Sequence, residues 1–204
     1  MPEIAMIEVE KKFVLNKENT ERLIQGAMFL TEKVFTDTYY DTDDYALTGK
    51  DIWLRARNGK FELKTPLQQN SERIADQYVE IEDDNQIREK LGLPKGSDLL
   101  QDLQKAGYEE FCMCKTTRKK YKREPFIIDL DMVEFENFVY HIGEIELMVE
   151  KPSEAPAAAQ QIIEFAKKQK LTLAPVRGKV VEYLKQRRPE HYEALVKNGV
   201  VKEI

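Results

Sequence analysis

Apolar and polar residues alternate with period two in repeated short runs up to about Val149, and from Ser153 onward the apolar spacing becomes helical. The alternation predicts eight strands: Met6–Phe13, Val34–Tyr40, Ile52–Arg57, Lys60–Lys64, Gln77–Ile81, Phe111–Arg123, Pro125–Val133 and Phe138–Val149. Asn58-Gly59 joins the third and fourth as a two-residue hairpin, because both residues accept positive φ. Arg123 to Pro125 is a second short reversal. Mostly adjacent strands with tight connections predict an antiparallel meander that closes on itself. Helices fill the gaps. Asn16 is placed to cap one running to about Gln25, and Ser97 to cap one through Lys105 that stops at Gly107. Ser153 is the expected cap of a third, with Pro156 in its tolerant first turn. Its stripe of Ala159, Ile162, Ile163 and Ala166 is expected to pack on the outside of the sheet. Gly178 and Pro189 punctuate two more helices, and Asn198-Gly199 closes the last.

The polar positions of the strands are mostly charged, and they recur at spacing two. Glu8, Glu10 and Lys12 share one face of their strand, opposite Ile7, Val9 and Lys11. Arg55 and Arg57 share a face, as do Glu62 and Lys64, Glu80 and Glu82, then Arg118, Lys120 and Lys122. Asp129 and Asp131 flank Leu130, and Glu144 and Glu146 flank Ile145. One such pair describes a solvated sheet face. Here most of the strands carry charges on one side and apolar residues on the other, so the core is expected outside the charged surface, under the helices. Acids gather on the first, fifth, seventh and eighth runs and bases on the third, fourth and sixth. Closing that sheet with its charges inward gives a tunnel with an acidic and a basic wall.

Composition narrows the chemistry. The 204 residues suit one domain, and the net charge of −5 excludes a strongly basic nucleic-acid coat. Charged residues make up 34% against the usual share of about 25%. No apolar stretch approaches the ~20 residues of a membrane span, and no signal-peptide core or Asn-x-Ser/Thr acceptor is present. Cys112 and Cys114 stand too close for a loop-closing disulfide and lack zinc-ligand spacing. The expectation is a soluble cytoplasmic monomer that engages neither membrane nor nucleic acid. His141 and His191 are isolated in the sequence and read as structural. Neither GxxxxGK[ST] nor GxGxxG occurs, so the usual phosphate loops are excluded, though phosphate binding is not. Crowded carboxylates repel unless a cation sits between them, while Arg and Lys bind phosphate oxygens. Together they point to a hard divalent cation and a polyphosphate: Mg²⁺, with Mn²⁺ accepted by the same oxygen ligands.

The run Glu8-Val9-Glu10-Lys11-Lys12 resembles the ExExK signature of the CYTH, or triphosphate tunnel metalloenzyme, superfamily. The resemblance continues through Tyr39-Tyr40-Asp41-Thr42, Trp53-Leu54-Arg55-Ala56-Arg57, Glu62-Leu63-Lys64 and Thr117-Arg118. It extends through Asp129-Leu130-Asp131, Gly143-Glu144-Ile145-Glu146 and Gly178-Lys179 to Tyr183-Leu184, in order along nearly the whole chain. Among the branches the chain is most similar to the animal thiamine triphosphatases, through IEVEKKF, DTYYDT, WLRAR and RRPEHYEAL. The resemblance implies one α+β domain over 1–204, with an eight-stranded antiparallel β-barrel in 1–150 and C-terminal helices in 151–204. It also implies Mg²⁺-dependent hydrolysis of thiamine triphosphate. Glu8, Glu10, Asp129, Glu144 and Glu146 would hold metal; Lys12, Arg55, Arg57, Lys64, Arg118 and Lys179 would hold phosphates. Asp131, Glu80 and Glu82 face the lumen by parity as supporting groups.

Water attack needs an orienting or basic group, and Tyr39 beside Lys64 is the expected catalytic pair. Trp53, the only tryptophan, shares parity with Arg55 and Arg57, so its indole is expected in the lumen, stacked on a cationic thiazolium. The rival readings are an inorganic tripolyphosphatase and, more remotely, an adenylyl cyclase, for which no adenine pocket is identified. A non-catalytic RNA- or polyphosphate-binding module built on Thr116 to Arg123 is a further alternative.

Overall fold

A computed structural model describes residues 6–67, 74–94, 96 and 98–203. Eight strands close into one antiparallel barrel: β1 (Ile7–Phe13), β2 (Met28–Asp41), β3 (Trp53–Arg57), β4 (Lys60–Pro66), β5 (Asp76–Ile81), β6 (Glu109–Arg123), β7 (Phe126–Phe135) and β8 (Phe138–Val149). Their order around the barrel is β1-β5-β4-β3-β2-β6-β7-β8. The single meander expected from the sequence is therefore two, β2 to β5 and β6 to β8. β2 pairs along β6, and β1 closes the ring between β5 and β8. The Asn58-Gly59 hairpin is present, with φ of 49° and 86°. β2 starts at Met28 rather than Val34, because residues 28–33 are largely exposed on both faces and lack the buried-exposed alternation that marks a half-buried strand.

Six helices are described: α1 (Lys17–Ile24), α2 (Asp84–Leu91), α3 (Leu99–Lys105), α4 (Ala155–Lys168), α5 (Lys179–Arg187) and α6 (Pro189–Lys197). Asn16 caps α1 as expected, accepting from the Asn19 N–H at 2.9 Å. α2 escaped the sequence reading because its buried stripe is one residue, Ile87, beside the polar Arg88. Asp98 caps α3, and the expected cap Ser97 lies outside the described residues. Ser153 does not cap α4; it sits in a 3-10 turn, Pro152–Glu154, that leads into it. Among the described residues no helix is long and apolar enough to cross a membrane.

The apolar strand faces point outward. Ile7, Val9, Phe13, Ile128 and Ile145 meet Ala155, Ala159, Ile162 and Ala166 of α4. Leu54, Phe61 and Leu63 meet Ile87 of α2 and Leu99 and Leu103 of α3. Each fully buried side chain such as Ile162 contributes about 1.5–3 kcal/mol. The barrel wall is thus held from outside, leaving its interior to charge. α5 differs, because Val180, Val181 and Leu184 pack on Tyr39, Cys112, Cys114 and Val133, whose strand parity is that of the lumen.

Candidate active site

Pairing register places the lumenal side chains in rows. Asp129 stands opposite Glu144 and Lys120, Arg118 opposite Asp131, Glu10 opposite Glu146, and Lys12 opposite Glu144. Across the barrel, Arg55 stands between Tyr39 and Glu62, Arg57 opposite Asp37, and Lys64 between Trp53 and Glu80. All of these but Asp37, Asp129 and Asp131 line a cavity of about 700 Å³. The cations and acids interleave more than two separate walls would, since the β6 bases face the β7 acids directly. Arg118 donates to Asp131 at 2.7 and 2.6 Å and to Glu144 at 2.9 Å, and also contacts Asp129. Lys12 meets Glu10 at 2.5 Å and Asp76 at 2.8 Å. Lys64 bonds Glu8 and, at 2.8 Å, Glu80, and Arg55 meets Glu62 at 2.5 Å.

Among the described residues two carboxylate clusters have metal-ligand spacing, Glu8 with Glu10 and Glu146, and Asp129 with Glu144 and Glu146. In each, ligand oxygens lie within 4.8 Å of one another. Burial pushes Glu8 up to about 7 against the pull of Lys64, with Glu10 and Glu80 adding to the rise. Burial, Asp129 and Glu8 raise Glu146 well above the usual carboxylate range. Glu10 is held at about 2, because Lys12 and Lys64 outweigh its burial. Both Asp129 oxygens are buried, and Oδ2 is in ion contact with Arg118 and, at 2.9 Å, with Lys120, yet neither oxygen completes an aligned hydrogen bond. Crowded oxygen donors, some favouring a proton, fit a hard divalent cation, which would offset the burial and the carboxylate repulsion that raise Glu8 and Glu146.

Of the residues expected to bind metal or phosphate, all but Asp129 line the cavity; Asp129 and the supporting Asp131 are buried and paired with Arg118. Glu82 also lines the cavity but is exposed and paired with Lys60. The expected Tyr39–Lys64 pair is not formed. Lys64 turns to Glu8 and Glu80, whereas the cations acting on the buried Tyr39 phenol are Lys179 and Arg55. Burial outweighs them and raises the phenol above its ordinary value. Lys179, in the first turn of α5, donates to Asp37 at 2.5 Å and Thr116 at 3.2 Å. Gly178 precedes it where a Cβ would come within 3.3 Å of Lys12 Cε, so glycine lets α5 lie close against the Lys12 side chain.

Sequence reading missed Asp37, Asp51, Asp76 and, as a site residue, Lys120. Spacing of two from Tyr39 and from Arg118 carries a signal for Asp37 and Lys120. His191, isolated in the sequence, is bonded in the structure. Thr48 donates its hydroxyl to Asp41 at 2.6 Å and meets His191 Nε2 at 2.7 Å, and Tyr45 stacks on the imidazole at 3.9 Å. Burial lowers His191 to about 4, so it holds α6 against the turn as a neutral ring. Cys112 and Cys114 are buried free thiols beneath α5.

The CYTH domain model matches residues 6–173. The chain is 31% identical over 212 residues to the thiamine-triphosphatases of Macaca fascicularis and Homo sapiens, covering 94% of this chain and 90% of each relative. The structure of the PH1819 protein from Pyrococcus horikoshii OT3 superposes with a TM-score of 0.62 at 25% identity, over 88% of this chain and 99% of that one. The matched segment contains the whole barrel and every lumenal carboxylate described above, and the chain belongs to the CYTH family.

Proposed function

We infer that the lumen hydrolyses the terminal phosphoanhydride bond of a triphosphate with water, and that the substrate is thiamine triphosphate, released as thiamine diphosphate and orthophosphate. One observation carries this reading. The cavity holding Lys12, Arg55, Arg57, Lys64, Arg118 and Lys179 is also lined by Trp53, Val180 and Val181, an apolar section beside the charged one. A polyphosphate suits the cations, and a flat organic group suits the indole. The 31% identity to two thiamine-triphosphatases supports the same substrate.

In this reading Glu8, Glu10, Asp129, Glu144 and Glu146 hold Mg²⁺, or Mn²⁺, which when bound neutralises charge on the phosphate oxygens. The cations now paired with carboxylates exchange those partners for phosphate oxygens. Arg55, Arg57 and Arg118 offer planar forks, and Lys12, Lys64 and Lys179 offer point charges. Phosphoryl transfer depends mainly on positioning and charge stabilisation, which a preorganised cationic lumen provides. Tyr39, protonated and facing Lys179 and Arg55, orients the attacking water, and Lys64 binds the phosphates.

The test is the initial rate of phosphate release with Mg²⁺, comparing thiamine triphosphate, inorganic tripolyphosphate and ATP at equal concentration. A large preference for thiamine triphosphate is expected. Faster turnover of tripolyphosphate would overturn the substrate while keeping the chemistry. No turnover of any of them with Mg²⁺ or Mn²⁺ would overturn the hydrolase.

A further inference from the structure

The 3-10 turn Thr48–Lys50 ends on Asp51, whose backbone is left-handed at φ 61° and ψ 26° and whose side chain is buried. Asp51 Oδ1 accepts from the Trp53 indole N–H at 2.9 Å and from the Tyr78 hydroxyl at 2.8 Å. The three residues belong to a turn, β3 and β5, and all line the lumenal cavity. One carboxylate oxygen therefore ties together the aromatic groups of two strands that are not neighbours in the barrel. Lys64 Nζ lies over the Tyr78 ring at 5.7 Å and is the register partner of Trp53. The indole thus borders a cation assigned to the phosphates.

A carboxylate at this place is unfavourable for a wholly anionic ligand. Inorganic tripolyphosphate gains nothing from it and is repelled. A ligand whose phosphates carry a cationic ring gains twice, from the indole face and from the charge at the indole edge. The N–H bond to a carboxylate also fixes the ring plane, so the face is set before the ligand arrives. Resting on the organic-triphosphate reading above, we propose that Asp51 is a specificity-determining residue: through Trp53 and Tyr78 it makes this part of the lumen a site for a cationic aromatic ring attached to a polyphosphate.

Asp51→Asn isolates the charge, because asparagine tolerates the left-handed backbone and keeps an oxygen for both donors. Trp53 is the only tryptophan, so its fluorescence reports the site directly. Titration with thiamine diphosphate should quench it, and Asp51→Asn should weaken that binding roughly tenfold. The variant should lower kcat/KM for thiamine triphosphate at least about fivefold more than for tripolyphosphate, the same charge effect acting in turnover. If Asp51→Asn does not fold, Trp53→Phe, which removes the N–H donor, should shift the same ratio in the same direction, read by calorimetric titration with thiamine diphosphate and by kinetics. A wild-type preference for thiamine triphosphate that survives unchanged in these variants overturns the role of Asp51 and leaves the substrate assignment standing. A wild-type preference for tripolyphosphate, with thiamine diphosphate binding that still depends on Asp51, overturns the substrate assignment and keeps this site.

Discussion

Asp37→Asn removes a fully enclosed anion of the barrel interior. Its side chain has 0% exposure, accepts from Arg57 at 2.8 and 3.1 Å, and accepts from Lys179 Nζ at 2.5 Å. Both cations also lie over the Phe35 ring, Arg57 at 4.1 Å and Lys179 at 5.4 Å. Removing one member of a buried ion pair costs about 3–5 kcal/mol, because the charge left behind stays desolvated. Asparagine keeps one acceptor oxygen, which places the expected loss near the lower figure, about 3 kcal/mol. At roughly 2–4 °C per kcal/mol for a chain of this size, Tm should fall by about 6–12 °C. Glu32→Gln is the control. Its pair with Lys119 spans 3.8 Å with both side chains 50% exposed, and its removal should cost less than about 1 kcal/mol. The assay is thermal unfolding by circular dichroism in phosphate-free buffer near pH 7.5. Although burial raises it, the Asp37 carboxyl is held below its ordinary value, first by the Arg57 hydrogen bond and then by Lys179. Its contribution is therefore complete above the unfolded carboxyl value of about 3.9 and is lost as pH falls through the lower native one, so the gap between wild type and variant should narrow in acid. A Tm for Asp37→Asn no lower than that of Glu32→Gln would refute the reasoning.

Other outcomes follow from the same charges. Burial raises Glu8 from 4.5 to about 7, so relative to Glu8→Gln the metal-free protein should lose stability as pH climbs between those values, and Mg²⁺ should raise Tm more at pH 8 than at pH 6; a pH-independent Mg²⁺ effect would contradict this. Tyr39→Phe should slow thiamine triphosphate hydrolysis by about 10²-fold or more with the shape of the pH profile retained, whereas loss of an alkaline limb would make the phenol a base. Trp53→Ala should weaken thiamine triphosphate by roughly tenfold more than tripolyphosphate, and equal losses would remove the indole from substrate recognition. His191, lowered to about 4 by burial, should keep a neutral ring in NMR titration down to about pH 5, with stability declining as pH falls from 6.5 through 4; a midpoint near 6.5 would place the ring in solvent.

Which face of a strand a residue occupies was legible in the sequence, because alternation of Cβ direction is a property of the extended backbone itself. That rule alone put Glu8, Glu10, Arg55, Arg57, Arg118, Glu144 and Glu146 on one surface and Trp53 beside them, where the structure has them. Family resemblance added Lys179, which lies on a helix and shows no alternation. Partnership was not legible. Tyr39 and Lys64 have the right parity, but they lie on β2 and β4 with β3 between them, and Lys64 points to Glu8 of β1. Asp51 carries no periodic signal, since a left-handed turn residue belongs to neither face, and its bonds reach β3 and β5 at once. Strand order, the insertion of β1 between β5 and β8, and the seating of α5 against lumenal side chains come from barrel closure, in which residues far apart in the chain pair in one register. Local backbone geometry decides which way a side chain faces; only the closed sheet decides what it meets there.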